Sequence, residues 1–400
     1  MTTYHSVAFV YQGKPGAVTR ETLTLRPGPR DLLVKVTMCA RCGTDKTIYR
    51  SGHPNVDPYA PVVLGHELVA QVVEVGAEVG DLTEGIGYCQ GQTLPSSALD
   101  FAPGERVTFQ SRIARYRDGL MLVPRPIANL SFQINGGFAQ YMIVPESMIR
   151  SGSVLRVADA ISDEEACLVE PAACALESIY ATPHPVGADK EGRHIMRAGI
   201  RPGGNTCIIG SGTVSMIYAR LAFLEGAGKV VVIVRSAEKA RLVREKLGSE
   251  VIIYEAPRTP EDASSATRAA EDVIVDDMDR LTDSYLFDDV VSANASATSQ
   301  RLLLRLYTPE GYAVGACFGG THNLVDAANI DSNHYRAAKT IGTSGCSTNS
   351  MKTVLAWLSG GRLSLRGMIS PRHYTLADDP HEFFTVESGL KPALYMEETG

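Results

Sequence analysis

From Asn205 onward the chain alternates strand and helix, and that rhythm limits the fold more than any single residue does. Thr206–Ile209 reads as a strand, Gly210-Ser211-Gly212 as a tight turn, and Thr213 to about Glu225 as a helix. A strand over Val230–Val234 follows, then a charged helix through Glu238–Leu247 that Ser236 opens as an N-cap. Strands over Val251–Tyr254, Asp289–Ser292 and Tyr312–Ala316 continue the series. Parallel strands joined by crossover helices make a doubly wound α/β sheet.

The first half has a different texture. Leu32–Val36, Leu68–Val75, Arg106–Phe109 and Phe138–Val144 are short β-branched or aromatic runs bounded by Gly, Pro or Asp, which predicts a β-rich region. Glycines break up the stretch to Gly104, which reads as a surface loop. Helical spacing of Ala, Cys, Leu and Ile appears over Asp163–Tyr180, and Ser264–Ala270 reads as a surface helix or loop. Four hundred residues at 44% hydrophobic content suffice for one large domain or two medium ones.

A net charge of −7 argues against a nucleic-acid surface. Met1 to Gln12 carries no basic patch leading into an apolar core, so no secretory signal is read, and no apolar run is long enough for a bilayer. Eight cysteines at irregular intervals do not resemble a disulfide framework, which favours a reducing cytoplasm.

Gly210-Ser211-Gly212-Thr213-Val214-Ser215 lies between a strand and a helix, where a dinucleotide fingerprint belongs. The first glycine makes the turn and the second lets backbone approach a pyrophosphate; Ser215 holds the third place, small but not glycine. A tight turn without a ligand is the blander reading. At the end of the second strand, Val234-Arg235-Ser236 has no acid to accept ribose hydroxyls. Arg235, with Ser236 and Lys239, suits a 2′-phosphate, so NADP(H) is favoured over NAD(H). A solvated Arg235 over the adenine permits NAD(H).

Three short segments carry metal-binding chemistry: Cys42-Gly43-Thr44-Asp45, Gly65-His66-Glu67 and Val169-Glu170-Pro171. They offer a thiolate, an imidazole and two carboxylates, and zinc accepts sulfur, nitrogen and oxygen donors. Together with Gly-Glu-Arg-Val (104 to 107) and Gly-Gly-Phe-Ala-Gln-Tyr (136 to 141), these segments resemble the medium-chain dehydrogenase/reductase superfamily of alcohol dehydrogenases. Within it they are most similar to the zinc-dependent, sorbitol dehydrogenase-like polyol dehydrogenases. Val-Glu-Pro, His184-Pro185 and residues 196 to 205 add a local likeness to sorbose-1-phosphate reductase, a hint of sugar or sugar-phosphate substrates.

The resemblance implies an α/β protein: a GroES-like β-rich catalytic domain over 1–178 and 345–400, and a Rossmann nucleotide-binding domain over 179–344. It implies one catalytic zinc on Cys42 and His66, with Glu67 and Glu170 as candidates for the remaining ligand. It also implies hydride transfer between NAD(P) and an alcohol or ketone, with Thr44 passing the hydroxyl proton outward. A dimer or tetramer with no nucleic-acid or membrane partner is expected. Two alternatives stand beside this: a zinc-free quinone or enoyl reductase on the same fold, and an idle nucleotide-binding relative.

Departures from the family pattern matter too. Thr108–Asn135 contains no cysteine, so no structural zinc is expected there. Thr47 replaces the histidine that commonly serves a proton relay, and Gly85–Pro103 reads as an added loop. Asp45 is either an acceptor for the His66 ring or a solvated loop residue. Cys39 reads as a buried thiol despite its C-x-x-C spacing to Cys42, and Cys167 and Cys174 as small hydrophobes. His53 and His184, beside prolines, read as loop histidines.

Overall fold

Antiparallel pairing organises one part of the chain and parallel pairing the other. The structure, a computed structural model, describes residues 2–84, 99–113, 115–117, 120–122, 128–257, 265–317 and 330–396. The chain folds as two units, Met1–Ala173 with Gly345–Gly400, and Cys174–Ser344.

In the first unit, strand Leu32–Ala40 is the hub of a seven-stranded sheet. Glu67–Val75 runs antiparallel along one side of it, followed by Arg106–Phe109 and Val154–Arg156. On its other side Tyr141–Val144 pairs with Leu32–Lys35, and Lys391–Tyr395 pairs with Met38–Ala40. Ile369–Tyr374 closes the order, parallel to Lys391–Tyr395. A smaller sheet takes Val18–Leu25, Tyr4–Tyr11 and Val62–Val63. The core is aromatic at its centre: the Phe138 ring meets Phe383 edge-on at 5.1 Å and Phe384 at 5.6 Å.

In the second unit six parallel strands stand in the order Ile252–Glu255, Lys229–Val234, Asn205–Ile209, Asp289–Ser292, Val314–Cys317 and Lys339–Gly342. In chain order that is 3-2-1-4-5-6, the doubly wound arrangement whose strand order reverses beside the first strand. Val230–Val234 is buried along its whole length, as a strand covered on both faces must be. An antiparallel hairpin, Pro183–Ala188 with His194–Ala198, precedes the sheet.

Several elements differ from the sequence reading for identifiable reasons. The expected helix over Asp163–Tyr180 is two helices, Asp163–Ala166 and Val169–Tyr180. Pro171 sits in the first turn of the second, where its missing N–H costs nothing. The strand expected from Tyr312 starts at Val314, because Tyr312 is left-handed at φ +61. Phe138 precedes its strand, spending its backbone N–H on Leu64 instead. His184 is on a strand, not a loop, and its buried Nε2 meets Asp289 Oδ1 at 2.9 Å. Of the loop expected over Gly85–Pro103, residues 85–98 lie outside the described residues. Among the described residues no helix is long and apolar enough to cross a membrane.

Candidate metal centre and dinucleotide loop

Strand direction brings the metal-binding side chains together. Leu32–Ala40 is antiparallel to both of its neighbours at its carboxyl end, with Ala40 opposite Glu67 and also opposite Ala393. Cys42, two residues past that end, therefore stands beside the first residues of two other strands, Glu67 and Lys391. It also caps helix Gly43–Ser51. Asp45, buried in the first turn of that helix, accepts the Cys42 N–H at 2.8 Å and the Gly65 N–H at 3.3 Å. One carboxylate thus fastens the cysteine segment to the Gly-His-Glu segment.

Gly65 requires its glycine. Its φ is +89, and an added Cβ would stand 2.7 Å from the Phe138 ring and 2.8 Å from Cys39 Sγ. Gly136 is closer still, because a Cβ there would lie 2.2 Å from the Gly65 carbonyl oxygen. The Gly-His-Glu and Gly-Gly-Phe motifs are therefore two halves of one backbone contact.

Cys42 Sγ, a His66 ring nitrogen and a Glu67 carboxylate oxygen all lie within 4.8 Å of one another. Glu67 is 1% exposed, and its Oε1 accepts from Lys391 Nζ at 2.7 Å. Its Oε2 is buried with no hydrogen-bond partner. A buried carboxylate oxygen left bare is unfavourable, and a cation beside it removes that cost. The donor set and the bare oxygen fit zinc.

Charge is concentrated here. Burial pulls the His66 imidazolium down, but Cys42, Asp45 and Glu170 outweigh it and hold the ring well above its ordinary value. Burial likewise opposes the Lys391 ammonium, and Glu67 and Cys42 more than restore it. The Glu170 carboxyl is raised by burial, against the pull of His66.

Other expected residues take distinct places. Glu170, in the first turn of Val169–Tyr180, is outside the Cys42, His66 and Glu67 group; its Oε1 accepts from Ser111 Oγ at 2.9 Å. The Asp45 carboxylate is 3.7 Å from His66 Nδ1, whereas Ser131 Oγ is hydrogen-bonded to that nitrogen at 3.1 Å. Thr44 is half-buried in the first helical turn. Thr47 donates back to the Gly43 carbonyl at 3.1 Å, so its hydroxyl is turned to the helix. Cys39, Cys167 and Cys174 are buried thiols, and the half-buried His53 ring lies tilted against Phe132 at 5.3 Å.

Lys391, Ser131 and Ser111 escaped the sequence reading. A lysine in the otherwise apolar run Lys391-Pro-Ala-Leu-Tyr was the available signal, since a buried lysine needs an acid. The serines had no signal.

In the second unit, Gly210 has φ +146, and a Cβ on it would meet Ser215 Oγ at 2.6 Å. The serine in the third fingerprint place thus fills the space that the first glycine leaves. Gly212 caps helix Thr213–Leu224 and has nothing within 4 Å of an added Cβ, so its backbone is open to a ligand. Ser211 and Val214 are half-buried and Thr213 is buried. Arg235 is exposed, and its Nη2 donates to Ser296 Oγ at 3.0 Å. Ser236 is the N-cap that the sequence suggested, accepting the Lys239 N–H at 3.3 Å. Arg235 and Ser236 line a cavity of about 800 Å³ with Tyr254, Glu255 and Asp277.

Residues 28–151 match the alcohol dehydrogenase GroES-like domain. Over 92% of its length the chain is 24% identical to D-arabitol-phosphate dehydrogenase of Enterococcus avium, of which it covers 89%. It is 27% identical to D-arabinitol dehydrogenase 1 of Uromyces fabae over 54% of this chain and 50% of that relative. Among solved structures it is similar to a zinc-binding dehydrogenase from Sinorhizobium meliloti 1021, crystallised with NADP. That match has a TM-score of 0.75 at 22% identity, over 98% of this chain and 99% of the other. The 2R,3R-butanediol dehydrogenase of Bacillus subtilis matches with a TM-score of 0.73 at 18% identity, over 98% and 100%. At such identities the structural likeness establishes the fold.

Proposed function

We propose that this chain is a medium-chain dehydrogenase of the alcohol dehydrogenase superfamily, an oxidoreductase acting on alcohols, and that it interconverts a secondary alcohol and its ketone with zinc and NADP(H). The substrate we infer is a polyol, sugar or sugar phosphate, which is the class named for its arabitol-phosphate and arabinitol relatives. The observation that carries the metal is Glu67: its Oε2 is buried and bare, and its carboxylate has an oxygen within 4.8 Å of a thiol and an imidazole. A zinc-free reductase has no use for that grouping.

Cys42, His66 and Glu67 are the residues we assign to the ion, with Glu170 the competing carboxylate for the third position. Zinc bound there supplies Lewis acidity to the substrate oxygen, and the nicotinamide supplies the hydride chemistry. Lys391 neutralises one oxygen of Glu67 and leaves the other available. Thr44 Oγ1, one helical position beyond Gly43, is our candidate to hold the hydroxyl proton. In the second unit, the backbone from Gly210 to Val214, Ser211 and Thr213 included, is assigned to the pyrophosphate. Arg235 is assigned to the 2′-phosphate, with its bond to Ser296 the interaction that phosphate would replace. We place the protein in the cytoplasm as a dimer or tetramer, a setting that suits cysteines that form no disulfide among the described residues.

Metal analysis of the purified protein, paired with a nicotinamide fluorescence titration, tests this reading. About one zinc per chain is expected, held by the Cys42, His66 and Glu67 set. Absence of zinc binding with intact nucleotide binding would move the assignment to the zinc-free reductases.

A further inference from the structure

A metal-bound imidazole gives one ring nitrogen to the ion and the other to the protein, and the protein partner fixes how the ring stands. Resting on the zinc reading above, we propose that Ser131 is the positioning residue of His66: its hydroxyl accepts the Nδ1 proton and presents Nε2 to the metal. Asp45, the carboxylate beside the ring, is not that partner. Its nearest oxygen is 3.7 Å from Nδ1, and its two oxygens serve the backbone N–H groups of Cys42 and Gly65. Asp45 acts by charge instead. A carboxylate at that distance favours the tautomer with its proton on Nδ1, and Ser131 Oγ at 3.1 Å accepts the hydrogen bond from that N–H.

The backbone of Ser131 supports the same conclusion. Serine is uncommon in left-handed geometry, where glycine carries no penalty. Ser131 is fully buried at φ +65, the one non-glycine residue of the first unit with positive φ among those described. A turn drawn in on Asn129 holds it there: the N–H groups of Phe132, Gln133 and Ile134 all reach the Asn129 carbonyl, and Ser131 N–H reaches the Ile134 carbonyl. Glycine would serve such a turn with less strain, so what serine adds is its hydroxyl. The same turn is tied to the second candidate carboxylate. Leu130 N–H donates to the Ser111 carbonyl at 2.8 Å, and Ser111 Oγ donates to Glu170. One backbone joint therefore sets hydroxyls against both His66 and Glu170.

The test compares wild type, Ser131→Gly and Ser131→Ala. Each is stripped of metal, melted, titrated with Zn²⁺ against a competing chelator, and then loaded with Co²⁺ for its visible d–d spectrum. Glycine removes the hydroxyl and relieves the backbone, so Ser131→Gly should melt no lower than wild type. Zinc affinity should nonetheless fall about 10- to 100-fold in both variants, with altered cobalt bands. Wild-type affinity and cobalt spectrum in Ser131→Gly overturn the proposal. So does a loss confined to Ser131→Ala, which would trace the effect to backbone strain. If Ser131→Gly does not fold, wild-type affinity in Ser131→Ala overturns the proposal. Failure of wild type itself to bind zinc would remove the zinc reading and this proposal together, an outcome distinct from the others.

Discussion

Five stretches of chain far apart in sequence, around Cys42, His66, Ser131, Glu170 and Lys391, meet at the candidate metal centre, whereas the proposed dinucleotide loop takes Gly210 to Val214 from one stretch. The first works through side chains whose charges are buried and must be matched one against another. The second, as proposed, offers backbone N–H groups at a helix start, where side chains have only to stay small. A centre built of buried charge should fail in large steps when one member is removed, because the partner left behind is uncompensated. A loop built of backbone should tolerate its neighbours and change by small increments.

The largest effect is expected at Lys391. Lys391→Met leaves Glu67 buried without a counter-charge, and breaking such a pair costs about 3–5 kcal/mol. The loss should be greater in metal-stripped protein than in zinc-loaded protein, since an ion compensates the same carboxylate. Melting curves with and without zinc, compared between wild type and variant, check this. Equal losses in both states would mean that Glu67 does not face the ion.

A middling effect is expected at Arg235. A charge-assisted bond to phosphate is worth roughly 1.5–3 kcal/mol, so Arg235→Ala should weaken NADP(H) by about ten- to a hundred-fold and leave NAD(H) nearly unchanged. Dissociation constants for both nucleotides, in both proteins, decide it. If both weaken equally, Arg235 lies on the adenine, and the preference for NADP(H) is lost as a proposal.

The smallest effect is expected at Ser236, whose hydroxyl already caps helix Ala237–Leu247. Ser236→Ala should cost about 1 kcal/mol of stability, as N-cap removals do, with nucleotide affinities nearly unchanged. A selective loss of NADP(H) would instead make Ser236 a phosphate ligand and draw the two regions closer in kind.

How far each region was legible follows from how it is built. The dinucleotide loop is local, so strand, glycine turn and helix could be read in order from the chain, and Ser236 as a cap with them. The candidate metal centre could be read only where a motif marked it, at Cys42, His66, Glu67 and Glu170, and there the resemblance to a family supplied the proposed ligands. Lys391 and Ser131 carry no local pattern. Lys391 comes into place because a strand more than three hundred residues after Leu32–Ala40 pairs beside it. Ser131 does so because a left-handed turn directs one hydroxyl to one ring. His184 was misread for a similar reason: its neighbouring prolines suggested a loop, while burial and Asp289 hold it on a strand. The helix over Asp163–Tyr180 was read as one because periodicity persists across the break that Pro171 marks.

Cys42, His66 and Glu67 are proposed to hold a zinc ion on which turnover depends, independently of the dinucleotide loop. Zinc content, turnover and NADPH affinity measured together on Cys42→Ala test it most directly. Expected are the loss of about one zinc per chain and of turnover, with NADPH affinity within a few-fold of wild type, because Cys42 and the loop belong to different units. Sustained turnover by a Cys42→Ala protein demonstrably free of metal would contradict it.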